Sequence, residues 1–280
     1  MAKIKLHLEI FKQLRDFIYE KCGISFQENK IYLLEDRLGH RLQERNLSTF
    51  EEYVHFLRYD PRRDEEIKEL YKSVTTNETS FFRDPMQLDA FRTGILPKVL
   101  ENKNLSYDKK IKMWSAACST GEEPYTLAMI MMEEAVILKG FTPNILASDI
   151  SEGVLQSANR AAYGEYSTRN IPELYRKKYF SLNGAGQLIV NSDVKNFVRF
   201  DNINLIDHIK MRTIREMDVI FCRNVLIYFD DNAKKKVLAS FYDSLAKGGY
   251  LVIGFSESLF NLTRAFKPVS MNRIVVYQKA

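Results

Sequence analysis

The chain has 280 residues, 45% of them hydrophobic, and a formal net charge of +5, which is ordinary for a globular protein of one large domain or two smaller ones. No apolar run approaches the roughly 20 residues of a membrane-spanning helix, and the N-terminus has no signal-peptide apolar region. We therefore expect a cytoplasmic protein without direct membrane insertion. The mild charge does not argue for nucleic acid, and the sequence predicts no nucleic-acid partner. The cysteines and histidines lack metal-ligand spacing, so we expect reduced thiols and no metal.

Residues 1–75 are predicted to form an all-α N-terminal domain, because apolar residues recur there at helical spacing and strand patterns are almost absent. Arg37, Arg41 and Arg45 are spaced four residues apart, which places three guanidinium groups on one helix face. Such a row indicates either a solvated basic surface or a docking face for an acidic partner or nucleic acid.

Residues 76–92 are predicted to be a linker that contributes to the functional site. The stretch 75–85 is first polar, then aromatic, then charged, and it fits neither a helix nor a strand pattern. A simple linker would seldom carry two adjacent phenylalanines followed by an arginine, as Phe81, Phe82 and Arg83 do. Segments between domains that carry such residues often belong to the site.

From residue 93 to residue 280, strands and helices alternate, which predicts an α/β domain. A strand is predicted for the apolar run 111–114, and a tight turn for the small residues 115–121. A helix is predicted to begin at Glu122 and Glu123, because acids suit its first turn. This is the first βα unit of a doubly wound fold, where a ligand lies beyond the carboxyl end of the strand. Neither the dinucleotide glycine fingerprint nor a P-loop motif is present. The two glutamates suit a ligand with hydroxyls and positive charge, such as S-adenosylmethionine, although we expect one of them only to cap the helix.

Polar residues follow two later predicted strands. Asp149 follows the first βα turn by about the interval at which such folds place a ribose-binding acid. Its alternative role is a helix N-cap, which Ser151 suits better. Arg223 and Asn224 follow the predicted strand 219–222, with Tyr228 just beyond, so we place them at the ligand-binding edge of the sheet.

The alternation of strands and helices is interrupted at about residues 164–200. This segment contains glycines, a proline and short β-like pieces at 187–190 and 196–200. They predict a small antiparallel β insertion on the main sheet. The end of the chain reads as helix, strand, hairpin and strand. That order suits a seven-stranded methyltransferase sheet whose last strand inserts antiparallel.

These residues together resemble the chemotaxis receptor glutamate O-methyltransferases, the CheR family, over nearly the whole chain. The matching motifs are TNETSFFR (76–83), WSAACSTGEEPY (114–125), ASDI (147–150), NL (204–205) and FCRNVLIYF (221–229). The resemblance implies a Rossmann-like class I methyltransferase domain, S-adenosylmethionine as cofactor, S-adenosylhomocysteine as product and no metal.

The resemblance also assigns residues. The family's cofactor contacts correspond to Asn77, Thr79, Arg83, Glu123, Asp149, Asn204, Leu205, Arg223 and Asn224. Its suggested catalytic residues correspond to Arg83 and Tyr228, and its basic receptor-docking face corresponds to Arg37, Arg41 and Arg45. The implied reaction methylates glutamate carboxylates of chemotaxis receptors, forming methyl esters for sensory adaptation. A carboxylate is ionised at neutral pH and needs no general base.

The implied partners are the cytoplasmic methylation helices of chemotaxis receptors, and we expect a monomer. Some family members bind a receptor tether peptide through the insertion; the short loop 183–187 favours independence from such a tether. Three alternatives stay open. They are a class I methyltransferase that acts on a small molecule or RNA, a non-catalytic module that binds S-adenosylmethionine, and a dinucleotide-dependent oxidoreductase.

Overall fold

The computed structural model describes residues 4–103, 107–138 and 140–280; the first three residues of the predicted N-terminal domain lie outside these ranges. The described part of that domain is helical. Its α-helices are α1 (Leu8–Cys22), α2 (Ile31–Glu44), α3 (Phe50–Tyr59) and α4 (Arg63–Val74), with a 3₁₀ turn at Glu28–Lys30. Each α-helix buries one apolar face, as the amphipathic spacing predicts. Nowhere in the described ranges is a helix long and apolar enough to cross a bilayer.

The arginines of α2 bind within the molecule. The Arg41 side chain is 4% exposed and donates to both carboxylate oxygens of Glu66, at 2.9 Å and 2.7 Å. Glu66 on α4 is fully buried and also accepts a hydrogen bond from Arg45 and, at 2.8 Å, from the Tyr53 hydroxyl. Burial alone would raise the pKa of Glu66, but these hydrogen bonds hold the pKa below its ordinary value.

Of the predicted docking face formed by Arg37, Arg41 and Arg45, Arg41 is therefore buried and neutralised, while Arg45 remains 20% exposed; docking through this face stays a prediction. Arg37 donates to the Val74 carbonyl at 2.5 Å and to the Thr76 hydroxyl at 2.9 Å, so it fastens α2 to the start of the linker. The spacing places the three side chains on one helix face, as predicted, but that face packs against α4 and the linker.

The remaining elements follow in chain order. They are α5 (Pro85–Ala90), a π-helical turn (Phe91–Ile95), α6 (Leu96–Lys103), β1 (Lys110–Ala116), α7 (Glu122–Glu133), α8 (Ala135–Leu138), β2 (Thr142–Asp149), α9 (Glu152–Arg160), β3 (Ala162–Tyr163), α10 (Glu165–Thr168), α11 (Glu173–Tyr179), β4 (Phe180–Leu182), β5 (Leu188–Val190), α12 (Ser192–Lys195), β6 (Val198–Asn202), α13 (His208–Met211), β7 (Met217–Cys222), a 3₁₀ turn (Leu226–Tyr228), α14 (Asp231–Ser244), β8 (Leu245–Ile253), β9 (Phe266–Met271) and β10 (Ile274–Lys279).

Among the described residues, seven strands form the main sheet in the order β6-β2-β1-β7-β8-β10-β9. Strands β6, β2, β1, β7 and β8 are mutually parallel, while β10 pairs antiparallel with β8 and β9. This confirms the predicted class I methyltransferase sheet with an antiparallel last strand. The carboxyl ends of β1, β2 and β7 meet at one edge, where such sheets bind ligands.

The predicted antiparallel insertion is also present, as a small sheet in the order β3-β5-β4. Its predicted extent was partly wrong. Residues 196–200 were assigned to the insertion, but Val198–Asn202 is β6, which pairs parallel with β2 from Ile145 to Asp149 in the main sheet. A short alternating strand carries no mark of which sheet it joins, because partner choice depends on distant residues.

The central strands are buried on both faces, and their side chains alternate between two apolar clusters. In β1, Met113 belongs to one cluster and Trp114 to the other. The Trp114 cluster is continuous with the buried faces of α1, α2, α3 and α4 and includes Leu14 and Leu38. The N-terminal helices and one face of the sheet thus share a single core.

We predict that Glu66→Gln lowers the free energy of unfolding by about 3 kcal/mol, because it removes the buried charged partner of the Arg41 guanidinium and leaves only the exposed carboxylates of Glu44 and Glu69 beside it. Urea denaturation at neutral pH measures the change. Since the pKa of Glu66 is lowered in the folded state, its stabilising contribution is present above the unfolded pKa and is lost as the pH falls through the folded pKa. The stability difference between wild type and variant should therefore shrink in acid.

The matched control is Glu69→Gln. The Glu69 carboxylate lies 3.7 Å from Arg41 but is 42% exposed, so its loss should cost less than about 1 kcal/mol. Equal destabilisation by both substitutions would show that the buried Arg41–Glu66 pair stabilises the fold no more than the exposed Arg41–Glu69 pair does.

Candidate functional site

One cavity of about 280 Å³ lies at the carboxyl ends of β1, β2 and β7. All the residues that the sequence singled out as cofactor contacts or catalytic residues line it. They are Asn77, Thr79, Arg83, Glu123, Asp149, Asn204, Leu205, Arg223, Asn224 and Tyr228. The structure thus brings together side chains that are spread over about half of the sequence.

The turn after β1 holds its backbone against the cavity. Ala117 and Ser119 have positive φ angles of 58° and 51°, a backbone conformation that residues other than glycine rarely adopt. Gly121 has φ 93°, and a Cβ there would lie 2.9 Å from the Cβ of Ala158. Its conformation and its contact with α9 both require glycine. This geometry gives a ligand access to the main chain.

The two glutamates that begin α7 have different environments. Glu123 lines the cavity; its Oε1 accepts a 2.6 Å hydrogen bond from the Ser115 hydroxyl, and its Oε2 lies 3.1 Å from Arg223. Glu122 is 1% exposed, does not line the cavity and accepts a 2.7 Å hydrogen bond from the Thr120 hydroxyl. Burial raises the pKa of Glu122. Glu123 is thus the glutamate of the pair that faces the cavity, whereas Glu122 lies in the first turn of α7 and binds the Thr120 hydroxyl.

Arg223 fastens the linker to the sheet. Its side chain is 4% exposed and donates to Gln87 Oε1 at 2.7 Å, Asp84 Oδ2 at 2.7 Å and the Arg83 carbonyl at 2.8 Å, in addition to Glu123. Four of its five N–H donors are therefore used inside the protein. Its guanidinium orients the groups around the cavity rather than offering a free fork to a ligand.

The linker that Arg223 holds has a strained backbone. Phe82 and Asp84, on either side of Arg83, have positive φ angles of 53° and 55°. Residues in this region persist only when their surroundings fix them. Arg83 itself is half-buried and donates to the Glu78 carbonyl at 2.9 Å, and it has no ion-pair partner among the described residues. Its guanidinium charge is thus available at the cavity.

Asp149 is 5% exposed, at the end of β2. Its Oδ1 accepts the Ser151 N–H and its Oδ2 accepts the Ser119 N–H, each at 2.9 Å. Burial raises the pKa of Asp149 in spite of these two bonds. Ser151 occupies the N-cap position of α9, but its hydroxyl makes no capping bond and has no partner within the described ranges. The carboxylate of Asp149 is fixed by the turn after β1 and still borders the cavity.

The N-terminal helices form a wall of the cavity that sequence reasoning missed. Asn204 Nδ2 donates to the Lys21 carbonyl at 2.6 Å, at the end of α1. Gly23 follows with φ 75°, and a Cβ there would lie 2.8 Å from the Ile206 side chain. Ile24 lines the cavity and forms a β-bridge with Phe229. No local pattern announces these contacts, since each joins residues about 180 or more positions apart.

Glu257, which the sequence analysis did not single out, organises the loop after β7. Its Oε2 accepts the N–H groups of Asn224 at 3.0 Å and Gly254 at 2.5 Å, and its Oε1 accepts those of Val225 at 3.0 Å and Ile227 at 3.2 Å. A Cβ at Gly254 would lie 2.7 Å from both the Asn224 nitrogen and the Glu257 carboxylate, so this approach requires glycine. The signal available in the sequence was an acid four residues beyond Ile253, the end of β8, since parallel strands bind ligands beyond their carboxyl ends.

Asn224 and Tyr228 lie on the loop that Glu257 holds. Asn224 has φ 60°, and its Oδ1 is buried with no hydrogen-bond donor among the described residues. Tyr228 is half-buried on the cavity wall, and its carbonyl accepts the Ser25 N–H at 2.9 Å. Within the described ranges, no group of three or more His, Cys, Asp or Glu side chains has metal-binding geometry.

Comparison with known proteins gives two family matches. The CheR methyltransferase all-alpha domain matches residues 9–75, and the CheR methyltransferase SAM-binding domain matches residues 77–275. Chemotaxis protein methyltransferase 2 of Vibrio cholerae is 35% identical over 269 residues, covering 96% of this chain and 92% of that protein. The chemotaxis protein methyltransferase of Borreliella burgdorferi is 36% identical over 262 residues, covering 92% of each. That of Vibrio parahaemolyticus is 34% identical over 281 residues, covering 99% of each.

We predict that Glu257→Gln speeds amide hydrogen exchange at residues 224–227 about tenfold, because an amide offers one acceptor oxygen in place of two and hydrogen bonds to a charged group contribute about 1.5–3 kcal/mol each. Mass spectrometry after deuterium labelling measures the exchange. Glu173→Gln, at a 67% exposed side chain of α11, is the control and should leave this segment unchanged. Unaltered exchange in Glu257→Gln would show that the carboxylate does not hold the loop.

Proposed function

This chain belongs to the CheR methyltransferase family, and we propose that it transfers the methyl group of S-adenosylmethionine to glutamate side chains of chemotaxis receptors. The chain is an S-adenosylmethionine-dependent methyltransferase. The glutamate acceptor is the finer part of the proposal. The observation that carries it is Arg83, a guanidinium without an internal carboxylate partner among the described residues, on the wall of the predicted cofactor cavity. The proposal includes a monomeric enzyme acting in the cytoplasm.

The cavity fits the cofactor by its donor and acceptor groups. S-adenosylmethionine carries ribose hydroxyls, amino groups and a positively charged sulfonium. The carboxylates of Asp149 and Glu123 suit hydroxyl and cationic groups, and the partnerless Oδ1 of Asn224 accepts a hydrogen bond from an N–H or O–H. The turn after β1 brings main-chain groups to the same space.

The bound cofactor supplies a methyl group on a positively charged sulfur, which an ionised carboxylate takes directly. The residues of this chain then have to bind, align and exclude water, and no side chain has to remove a proton. Arg83 orients the acceptor carboxylate through its planar fork. Tyr228, on the loop after β7, holds either the second oxygen of the acceptor carboxylate or the methyl donor in position. Arg223 holds the Arg83 backbone, so that the guanidinium is already in place before the acceptor arrives.

The experiment that tests this function is methyl transfer from labelled S-adenosylmethionine to a cytoplasmic fragment of a chemotaxis receptor. Label on the receptor that mild base releases would identify a carboxyl methyl ester. Tight binding of S-adenosylmethionine without receptor label would overturn the acceptor assignment and leave the methyltransferase fold in place. Base-stable label would place the methyl group on another atom and would equally reject a glutamate ester.

We predict that Arg83→Ala lowers turnover about 100-fold and changes the dissociation constant of S-adenosylmethionine less than about threefold, because the acceptor carboxylate loses its orienting charge. Arg83→Lys keeps the charge without the fork and should fall between wild type and alanine. Receptor methylation at saturating cofactor and calorimetric titration separate the two effects. Reduced cofactor affinity with normal turnover of the bound enzyme would contradict this role.

We predict a pH dependence of cofactor binding that comes from Asp149. Burial raises the pKa of Asp149 in the free protein, and hydroxyl donors of a ligand favour the ionised form. Affinity should therefore be constant near neutral pH and fall as the pH drops through this raised pKa. In Asp149→Asn, which keeps Glu123, the affinity should be lower than in wild type at neutral pH. It should then change little as the pH drops through the range in which Asp149 of the wild type is protonated. Calorimetric titrations over a pH series measure both, and parallel pH profiles would contradict the assignment.

A further inference from the structure

A second cavity, of about 470 Å³, adjoins the cofactor cavity. The two share the linker residues Glu78, Thr79, Ser80 and Arg83 in their walls. The segment 78–85 forms one wall of the second cavity, and Arg169, Asn170 and Pro172, which follow α10, contribute to the other. Arg83 therefore lies where the two spaces meet. We call the second cavity the acceptor groove.

The carboxylates of the acceptor groove already have partners. Asp84 forms an ion pair with Arg223 at 2.7 Å. Glu78 accepts a hydrogen bond from the Tyr166 hydroxyl at 3.0 Å. By contrast, neither Arg83 nor Arg169 has a carboxylate within ion-pair distance among the described residues. Among the described residues, Arg83 and Arg169 are thus the cations of the groove that no carboxylate pairs, whereas Asp84 is already engaged by Arg223.

Arg169 is held in position without being neutralised. Its guanidinium lies 4.0 Å from the centre of the Tyr166 ring and donates to the Tyr166 carbonyl. The remaining N–H groups of Arg169 have no acceptor among the described residues, and a guanidinium presents such donors in a planar fork that matches a carboxylate. The Tyr166 hydroxyl is itself fixed by Glu78, so the stacking platform is anchored to the linker.

We propose that the acceptor groove receives the protein segment around the methylated glutamate, and that Arg169 binds a second acidic side chain of that segment. This rests on the proposed function, in which Arg83 orients the reacting carboxylate. A single guanidinium is enough for that carboxylate. The charge of Arg169 then selects acceptors that carry another Asp or Glu close to the methylation site, and it acts on acceptor binding rather than on cofactor binding.

The test measures methyl transfer to a chemotaxis receptor cytoplasmic fragment and calorimetric binding of S-adenosylmethionine for the same variants. Arg169→Glu should raise the KM for the receptor fragment at least tenfold and leave the cofactor dissociation constant within twofold of wild type. Arg169→Gln should give a smaller rise. Arg160→Glu makes the same charge change at an exposed arginine of α9 that lines neither cavity, and it should leave both quantities unchanged.

Charge exchange identifies the partner side chain. Each acid near the methylated residue of the receptor fragment is changed in turn to lysine. At one position, the lysine fragment should be methylated better by Arg169→Glu than by wild type. Added salt should raise the wild-type KM more than that of Arg169→Gln, because the charged contact is screened.

The outcomes separate the two proposals. A wild-type enzyme that does not methylate the fragment overturns the proposed function. A wild-type enzyme that does, with Arg169→Glu indistinguishable from Arg160→Glu, overturns the role of Arg169 alone. A change in cofactor affinity equal to the change in KM would also overturn it, since Arg169 would then act through the cofactor cavity. Thermal denaturation and circular dichroism of Arg169→Gln establish that an effect on KM comes from a folded protein.

Discussion

The site depends on the buried guanidinium of Arg223. A buried charge is costly unless it is paired and hydrogen-bonded, and Arg223 satisfies this requirement with two carboxylates, an amide oxygen and a carbonyl. Its partners belong to α5, the linker and α7, while Arg223 itself follows β7. One side chain thereby fixes the relative positions of Glu123, which faces the cavity, and of the strained backbone around Arg83.

A second constraint comes from the N-terminal helices. They share an apolar core with one face of the main sheet and supply Cys22, Ile24 and Val74 to the cavity. The β-bridge between Ile24 and Phe229 and the bond from Asn204 to the end of α1 join these helices to two loops at the ligand-binding edge. The helical region is therefore a structural part of the cavity, in addition to any contact that it makes with a partner.

Much of the fold follows from local sequence patterns. Apolar spacing indicates the helices of the first 75 residues, and the alternation of strands with helices indicates the α/β domain that follows. The residues at strand ends were also predictable, because parallel strands place their carboxyl ends at one edge. The errors have a common cause. The strand at 196–200 was assigned to the wrong sheet, and Arg41 was expected on an exposed face, since the partners, β2 and Glu66, lie far away in sequence. Glu257 was missed for the same reason, because its N–H partners at Asn224, Val225 and Ile227 become its neighbours only when β7 and β8 pair.

The arginines of this chain show why charge must be judged together with its partners. Arg41 looks like a docking residue in the sequence, yet its charge is neutralised within the core by Glu66. Arg223 has the position of a ligand contact, yet most of its donors bind the protein. Arg83 and Arg169 are the arginines of the two cavities that lack a carboxylate partner among the described residues, and both border the acceptor groove. In the proposed function, an acidic acceptor adds the missing counter-charges there. The proposed recognition of a carboxylate thus depends on the cations that folding leaves unpaired, and these are identified by the contacts of each guanidinium rather than by the number of basic residues.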